Sequence, residues 1–278
     1  MTQSARIFAL AFLLSCLAFS GFAEPRACAH RGDVAAAPEN TMPAFASAVR
    51  KRAPMIEFDV QKTKDGYLVI MHDESVDRTT NGKGMVADLT FDEVRALDAG
   101  AWFSPEFTGT RVPTFEETLD AIPPGILCNV HLKMGPKLAA DAARIIKVKG
   151  RLVDCFLACT EDQAIEAKAV VPEIRICNMT RQGTNRKAYV DRTIELGSEF
   201  IQLPFTGGLD GLKEDVDRLH AAGVTVNWFH ATKEPVIRAV AAAGVDYLLT
   251  DDLDLCMRVL KECGRSETGA DSLISGLR

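Results

Sequence analysis

Five short strings concentrate the reactive side chains near the front of this chain. They are Ala-His-Arg-Gly (Ala29–Gly32), Pro-Glu-Asn-Thr (Pro38–Thr41), Ile-Glu-Phe-Asp-Val (Ile56–Val60), Thr-Lys-Asp-Gly (Thr63–Gly66) and Met-His-Asp (Met71–Asp73). His30 and His72 can give and take protons at neutral pH, because imidazole titrates near ~6.5. Glu57 and Asp59 can clamp one divalent cation if a strand turns both the same way. Arg31 adds a permanent positive charge beside His30. The set suits metal-assisted acid–base chemistry on a phosphate.

Strand parity says how these groups are presented. Side chains alternate along a strand, so Glu57 and Asp59 share one face while Ile56, Phe58 and Val60 share the other. In Asn129-Val130-His131-Leu132-Lys133 the same rule puts Asn129, His131 and Lys133 together, and His131 within reach of a cation held by Glu57 and Asp59. Cys28 and His30 share a face, His72 ends the run from Leu68, and Gln202 and Asn227 are candidates for the same interior. Without a metal, Glu57 and Asp59 would instead form a buried salt network with Lys133 or Arg31. His220 falls on a helix and reads as surface. His230 follows the seventh strand and would either rim the site or do nothing there. Asn40 reads as a helix N-cap, with Pro43 in the first turn, and Glu39 as an orienting or solvated group.

The elements that must position these residues alternate to the end of the chain. Apolar runs occur at Ala27–Ala29, Met55–Val60, Ile126–Leu132, Asp154–Ala158, Ile174–Cys177, Phe200–Leu203, Val224–Trp228 and Tyr247–Thr250. Amphipathic stretches follow them at Thr41–Arg50, Phe115–Ile122, Pro136–Lys147, Glu161–Val170, Lys187–Leu196, Leu212–Ala222, Glu234–Ala243 and Leu253–Cys263. Short runs apolar on both faces are parallel strands covered by helices. Eight such units predict an α/β fold, a (β/α)₈ TIM barrel over residues 24–264, with a doubly wound sheet as the alternative. An insertion after the second strand, about 74–113, carries Trp102, Phe103 and Phe107 and reads as a substrate-covering segment or a structural cap. Residues 265–278 read as a flexible tail.

Residues 1–23 are a different kind of text. Arg6 precedes an apolar run from Ile7 to Phe19, then Ser20, Gly21 and Ala23, the pattern of a secretory signal cut near Ala23–Glu24. A membrane anchor or a lipoprotein acylated at Cys16 are the alternatives, although the run is short of the ~20 apolar residues of a span. The expected location is secreted or periplasmic, with no stable membrane span. Removing Cys16 from eight cysteines leaves an odd number. Cys155 and Cys159 would lie ~13 Å apart on one strand, too far to bridge each other. A net charge of -6 without a basic stripe argues against nucleic acid as partner. Any bound phosphate would be held by a few placed cations and not by the overall field.

The combined strings resemble the glycerophosphodiester phosphodiesterase family. The resemblance is carried by Ala29–Gly32, Pro38–Phe45, Ile56–Asp59, Thr63–Gly66, His72–Thr80 and Val112–Glu117, and more weakly by Val224–Asn227 and Gly244–Asp251. It implies a (β/α)₈ barrel, one divalent metal ion (Ca²⁺ or Mg²⁺), and hydrolysis of glycerophosphodiesters to glycerol phosphate and an alcohol. By motif, His30 and His72 would be acid and base, Glu57 and Asp59 metal ligands, and Arg31 and Lys133 phosphate-binding groups. One position departs. The family usually reads Glu-Ile-Lys where this chain has His131-Leu132-Lys133, so a carboxylate ligand becomes imidazole. Ca²⁺ and Mg²⁺ prefer oxygen, whereas imidazole suits Mn²⁺ or Zn²⁺. His131 would then bind a softer metal, hold Ca²⁺ or Mg²⁺ weakly, or mark a non-catalytic binder of phosphorylated ligands. A lysophospholipase D activity is a further reading if Trp102–Phe107 forms an apolar groove. A glycosidase is disfavoured because no clear pair of carboxylates stands on separate strand ends.

Overall fold

The computed structural model describes residues 24–183, 185–204 and 208–274. The expected leader, with Cys16, and the last four residues of the expected tail lie outside them.

Eight parallel strands form the ring: β1 (Arg26–Ala29), β2 (Met55–Lys62), β4 (Leu127–Leu132), β5 (Cys155–Cys159), β6 (Arg175–Asn178), β7 (Phe200–Pro204), β8 (Thr225–Phe229) and β9 (Tyr247–Thr250). Pairing of β1 with both β9 and β2 closes it. That closure establishes the barrel and excludes the open sheet. The short β3 (Leu68–Ile70) lies outside the ring, antiparallel to β2. Helices α1 (Met42–Arg50), α3 (Phe115–Ala121), α4 (Leu138–Val148), α5 (Glu161–Val170), α6 (Arg186–Leu196), α7 (Leu212–Ala221), α8 (Glu234–Ala242) and α9 (Leu253–Ile274) return the chain between strands, and α2 (Phe91–Ala96) belongs to the insertion. Thr114 and Thr160 start α3 and α5 with reciprocal capping boxes, each satisfying helix N–H groups that have no partner within the helix. The last helix runs on into the stretch that reads as a tail.

Alternation along the strands divides the barrel into two regions. Phe58, Val130, Leu157, Ile201, Val226 and Trp228 point outward into the core shared with the helices. Burying a large apolar side chain there stabilises the fold by about 1.5–3 kcal/mol. Cys28, Met55, Phe156, Ala158, Cys177, Phe200, Tyr247 and Leu249 point inward and plug the barrel, with the Phe156 and Phe200 rings stacked at 4.0 Å. Above this plug the inward positions turn polar. Glu57 pairs in register with Asn129, and Asp59 with His131. The carboxyl ends of the strands therefore carry the reactive groups, as in barrel enzymes generally.

The insertion has its own small core of Val69, Met71, Val76, Val86, Val94, Ala99 and Val112. Trp102, Phe103 and Phe107 pack edge to face on one another. Among the described residues there is no disulfide, and Cys28, Cys128, Cys155, Cys159, Cys177 and Cys256 are buried. Two expectations need correction. Asn40 is not the cap of α1; Thr41 holds that position, while Asn40 adopts a left-handed conformation with φ 56°. His220 is not plain surface: its Nε2 lies 2.9 Å from Asp246 Oδ2.

Candidate active site

The centre of the site is built on β2 and β4. Glu57 and Asp59 are almost fully buried. His131 Nδ1 stands 3.1 Å from Asp59 Oδ1 and 3.6 Å from Glu57 Oε1. One ligand atom from each of these three residues lies within 4.8 Å of the others. Asp59 Oδ1 is buried and accepts no well-aligned hydrogen bond, though Lys133 Nζ is 2.8 Å away. Such a donor set fits a divalent cation: two carboxylates supply hard oxygens and one imidazole a softer nitrogen. Burial opposes ionisation of Asp59, but the neighbouring His131 and Lys133 outweigh it and hold the carboxyl well below its ordinary range. Despite its burial and the opposing charge of Lys133, hydrogen bonds to Asp59 and Glu57 raise His131.

Asn40 fixes the inner carboxylate. Its Nδ2 donates to Asp59 Oδ2 at 2.8 Å, and its Oδ1 accepts from the Asp59 backbone N–H at 3.3 Å. The left-handed backbone at Asn40 accompanies this aim, and Asn tolerates that conformation better than most residues. Glu57 is held by the Arg31 backbone N–H at 3.0 Å. The turn that delivers this N–H depends on Gly32, with φ 85°, where a Cβ would meet the Cβ of Ala44 at 2.8 Å.

Two histidines flank the cluster in unlike surroundings. His30 follows β1, with Nδ1 2.6 Å from Asp251 Oδ1 and Nε2 4.0 Å from Glu57 Oε2. Burial works against its charged form, yet the Asp251 bond and the Glu57 charge outweigh it, and the pKa lies above the ordinary value. His72 follows β3, with Nδ1 2.7 Å from Asp73 Oδ1. Burial prevails there over the charges of Asp59 and Asp73, and its pKa is lowered. Gln61, on the same inward face as Asp59, donates to the backbone carbonyl of Asp73 at 2.7 Å and so seats that turn. Beside the cluster opens a cavity of about 640 Å³, lined by His72, His131 and Lys133 and by Met85, Met134 and Met179. None of Trp102, Phe103 and Phe107 lines it.

Comparison with known proteins agrees with this architecture. Residues 30–255 match the glycerophosphoryl diester phosphodiesterase family. The chain belongs to that family. It is similar to the glycerophosphodiester phosphodiesterase of Caldanaerobacter subterraneus subsp. tengcongensis, at 34% identity over 85% of this chain and 98% of the relative. Its fold is similar to the glycerophosphodiester phosphodiesterase from Agrobacterium tumefaciens, with a TM-score of 0.73 and 28% identity over 84% of this chain and 98% of the other. It is also similar to an Oleispira antarctica phosphodiesterase solved with the product sn-glycerol-3-phosphate, with a TM-score of 0.72 and 25% identity over 85% and 97% of the two chains. As a member of the family, the chain is a phosphoric diester hydrolase.

In this phosphodiesterase the barrel gathers all seven residues expected at the site: His30, Arg31, Glu57, Asp59, His72, His131 and Lys133. Three others join them. Asp251 follows β9 and binds His30, and His230 follows β8 and binds Asp251 Oδ2 at 2.6 Å. Both stand just past strand ends, the same position that singles out His30. Arg78 lies within the matched string His72–Thr80. Its guanidinium donates to Asp73 at 2.6 Å and to Glu39 at 2.7 and 2.9 Å. Glu39 also accepts from Arg31 Nη1 at 2.8 Å. Glu39 is therefore an orienting group, and one ionic chain links Arg31 to the partner of His72.

Proposed function

We propose that this phosphodiesterase is an exported, metal-dependent enzyme that hydrolyses glycerophosphodiesters to glycerol phosphate and an alcohol. The observation that carries the reading is the pair of histidines on either side of one carboxylate–imidazole cluster, with their proton affinities driven apart. Opposed shifts of this kind assign acid and base roles. His72, lowered by burial, is the base. His30, raised by Asp251 and Glu57 against its burial, is the acid.

His72 takes the proton of the attacking oxygen, which belongs to water or to a neighbouring substrate hydroxyl. As the new P–O bond forms, the bond from phosphorus to the leaving oxygen breaks, and His30 Nε2 gives that oxygen its proton. Arg31 and Lys133 hold the phosphate oxygens and stabilise their added charge. Glu57, Asp59 and His131 would hold the divalent ion, which supplies Lewis-acid stabilisation of phosphate charge when bound. His131 favours Mn²⁺ or Zn²⁺ over the Ca²⁺ or Mg²⁺ that an all-oxygen set would take. Export is supported by the leader pattern of residues 1–23, and no helix among the described residues is long and apolar enough to cross a membrane.

The test is turnover of glycerophosphocholine by chelator-stripped protein, with Ca²⁺, Mg²⁺, Mn²⁺ and Zn²⁺ restored separately. Activity returns with Mn²⁺ or Zn²⁺ and is lost in His30→Ala and His72→Ala. Silence with every metal favours a non-catalytic phosphate binder, and turnover surviving both substitutions removes the acid–base assignment. A second reading, lysophospholipase D activity, is supported by the methionine-lined cavity next to His72 and Lys133. Preference for lysophosphatidylcholine over glycerophosphocholine in the same assay would select it.

A further inference from the structure

We propose that His230 is a positioning residue that holds His30 in its working orientation through Asp251. The proposal rests on His30 acting in phosphodiester hydrolysis. Asp251 bridges two imidazoles, with Oδ1 2.6 Å from His30 Nδ1 and Oδ2 2.6 Å from His230 Nε2. The Asp251 side chain is 43% exposed. A carboxylate that open could turn into water, and a second anchor on its outer oxygen stops that rotation. The His230 ring is itself braced. It stacks on Phe229 with centroids 5.1 Å apart, and Phe229 in turn meets His30 edge on at 5.4 Å.

The orientation matters because the two ring nitrogens of His30 have different tasks. A hydrogen bond to one nitrogen of a histidine selects the tautomer and decides what the other can do. With Nδ1 donating to Asp251, Nε2 is turned toward Glu57, at 4.0 Å. Release of Asp251 would free the ring to flip or change tautomer, and Nε2 would then face the phosphate for only part of the time. Partners of this kind, one contact removed from the reacting group, are commonly worth about 10–100-fold in activity.

His230→Ala should lower kcat by about 10–100-fold with KM little changed. His230→Gln, which keeps an N–H donor toward Asp251, should recover most of that loss. In a His30→Ala background, adding His230→Ala should cost nothing more, since the two act as one unit. A readout independent of turnover is the ¹⁵N spectrum of the His30 ring. At a pH above the His30 pKa, where Nε2 has lost its proton, wild type and His230→Gln should show one neutral tautomer with the proton on Nδ1, and His230→Ala a mixture. An unchanged tautomer in His230→Ala overturns the proposal, even if no substrate is found. So does Gln behaving like Ala, or bound metal falling from two ions per chain to one in His230→Ala, which would make the His–Asp–His group a ligand set. Absence of turnover in wild type alone, with the tautomer still dependent on His230, sinks the catalytic reading and leaves the positioning intact.

Discussion

His30 and His72 show how identical side chains are made unlike by their neighbours. His72 loses solvent and becomes harder to protonate, while His30 gains a carboxylate partner on each side and becomes easier. A base must be neutral and is active above its pKa; an acid must be protonated and is active below its own. In the proposed roles, with His72 lowered from ~6.5 as the base and His30 raised from it as the acid, both groups are correctly protonated between the two pKa values. We expect a bell-shaped plot of kcat/KM against pH, with a plateau across neutrality. The Asp251 carboxylate is among the groups that raise His30, so Asp251→Asn should move the alkaline limb to lower pH. An alkaline limb unmoved by Asp251→Asn would show that His30 is not the acid.

The strand ends and the turns after them do the aiming. β2 presents Glu57, Asp59 and Gln61 on one face because each is two residues from the next. The turn after β1 is the demanding piece. Arg31, Gly32 and Asn40 all have positive φ, and Gly32 passes against α1. Gly32→Ala would strain the backbone and drive a Cβ into Ala44. We expect a loss of about 1–3 kcal/mol in urea denaturation. A drop in kcat should accompany it, because the same turn carries the Arg31 N–H that holds Glu57. A variant as stable and as active as wild type would show that the turn can relax around the added methyl.

Across the molecule, ring closure converges residues from distant parts of the chain. His30 and Asp251 are separated by 221 positions and meet because β1 pairs with β9. A cation held by Glu57, Asp59 and His131 stabilises only the folded barrel, since the unfolded chain scatters its ligands. Metal at a hundredfold excess over Kd adds about 2.7 kcal/mol by mass action. For a chain of this size that corresponds to a rise in Tm of about 5–10 °C. Differential scanning with and without chelator should show that shift, and Asp59→Asn should abolish it. An equal shift in the variant would place the metal elsewhere.

The alternating strands and helices, the shared face of Glu57 and Asp59, and that of Asn129, His131 and Lys133, were legible in the sequence because they depend on local periodicity. Two residues apart on one strand means one side, whatever the rest of the chain does. The family resemblance, the histidines and the odd imidazole at position 131 were legible for the same reason, as short contiguous strings. Other features depend on closure and backbone shape. Asn40 reads as a helix cap from its neighbours, yet a left-handed bend turns it onto Asp59. His230 and Asp251 become partners of His30 when β8 and β9 take their places beside β1. Arg78 reaches Glu39 because the insertion folds on its own core. No spacing in a linear chain encodes those meetings; they are decided by which strands neighbour each other in the ring and by how the loops above it pack.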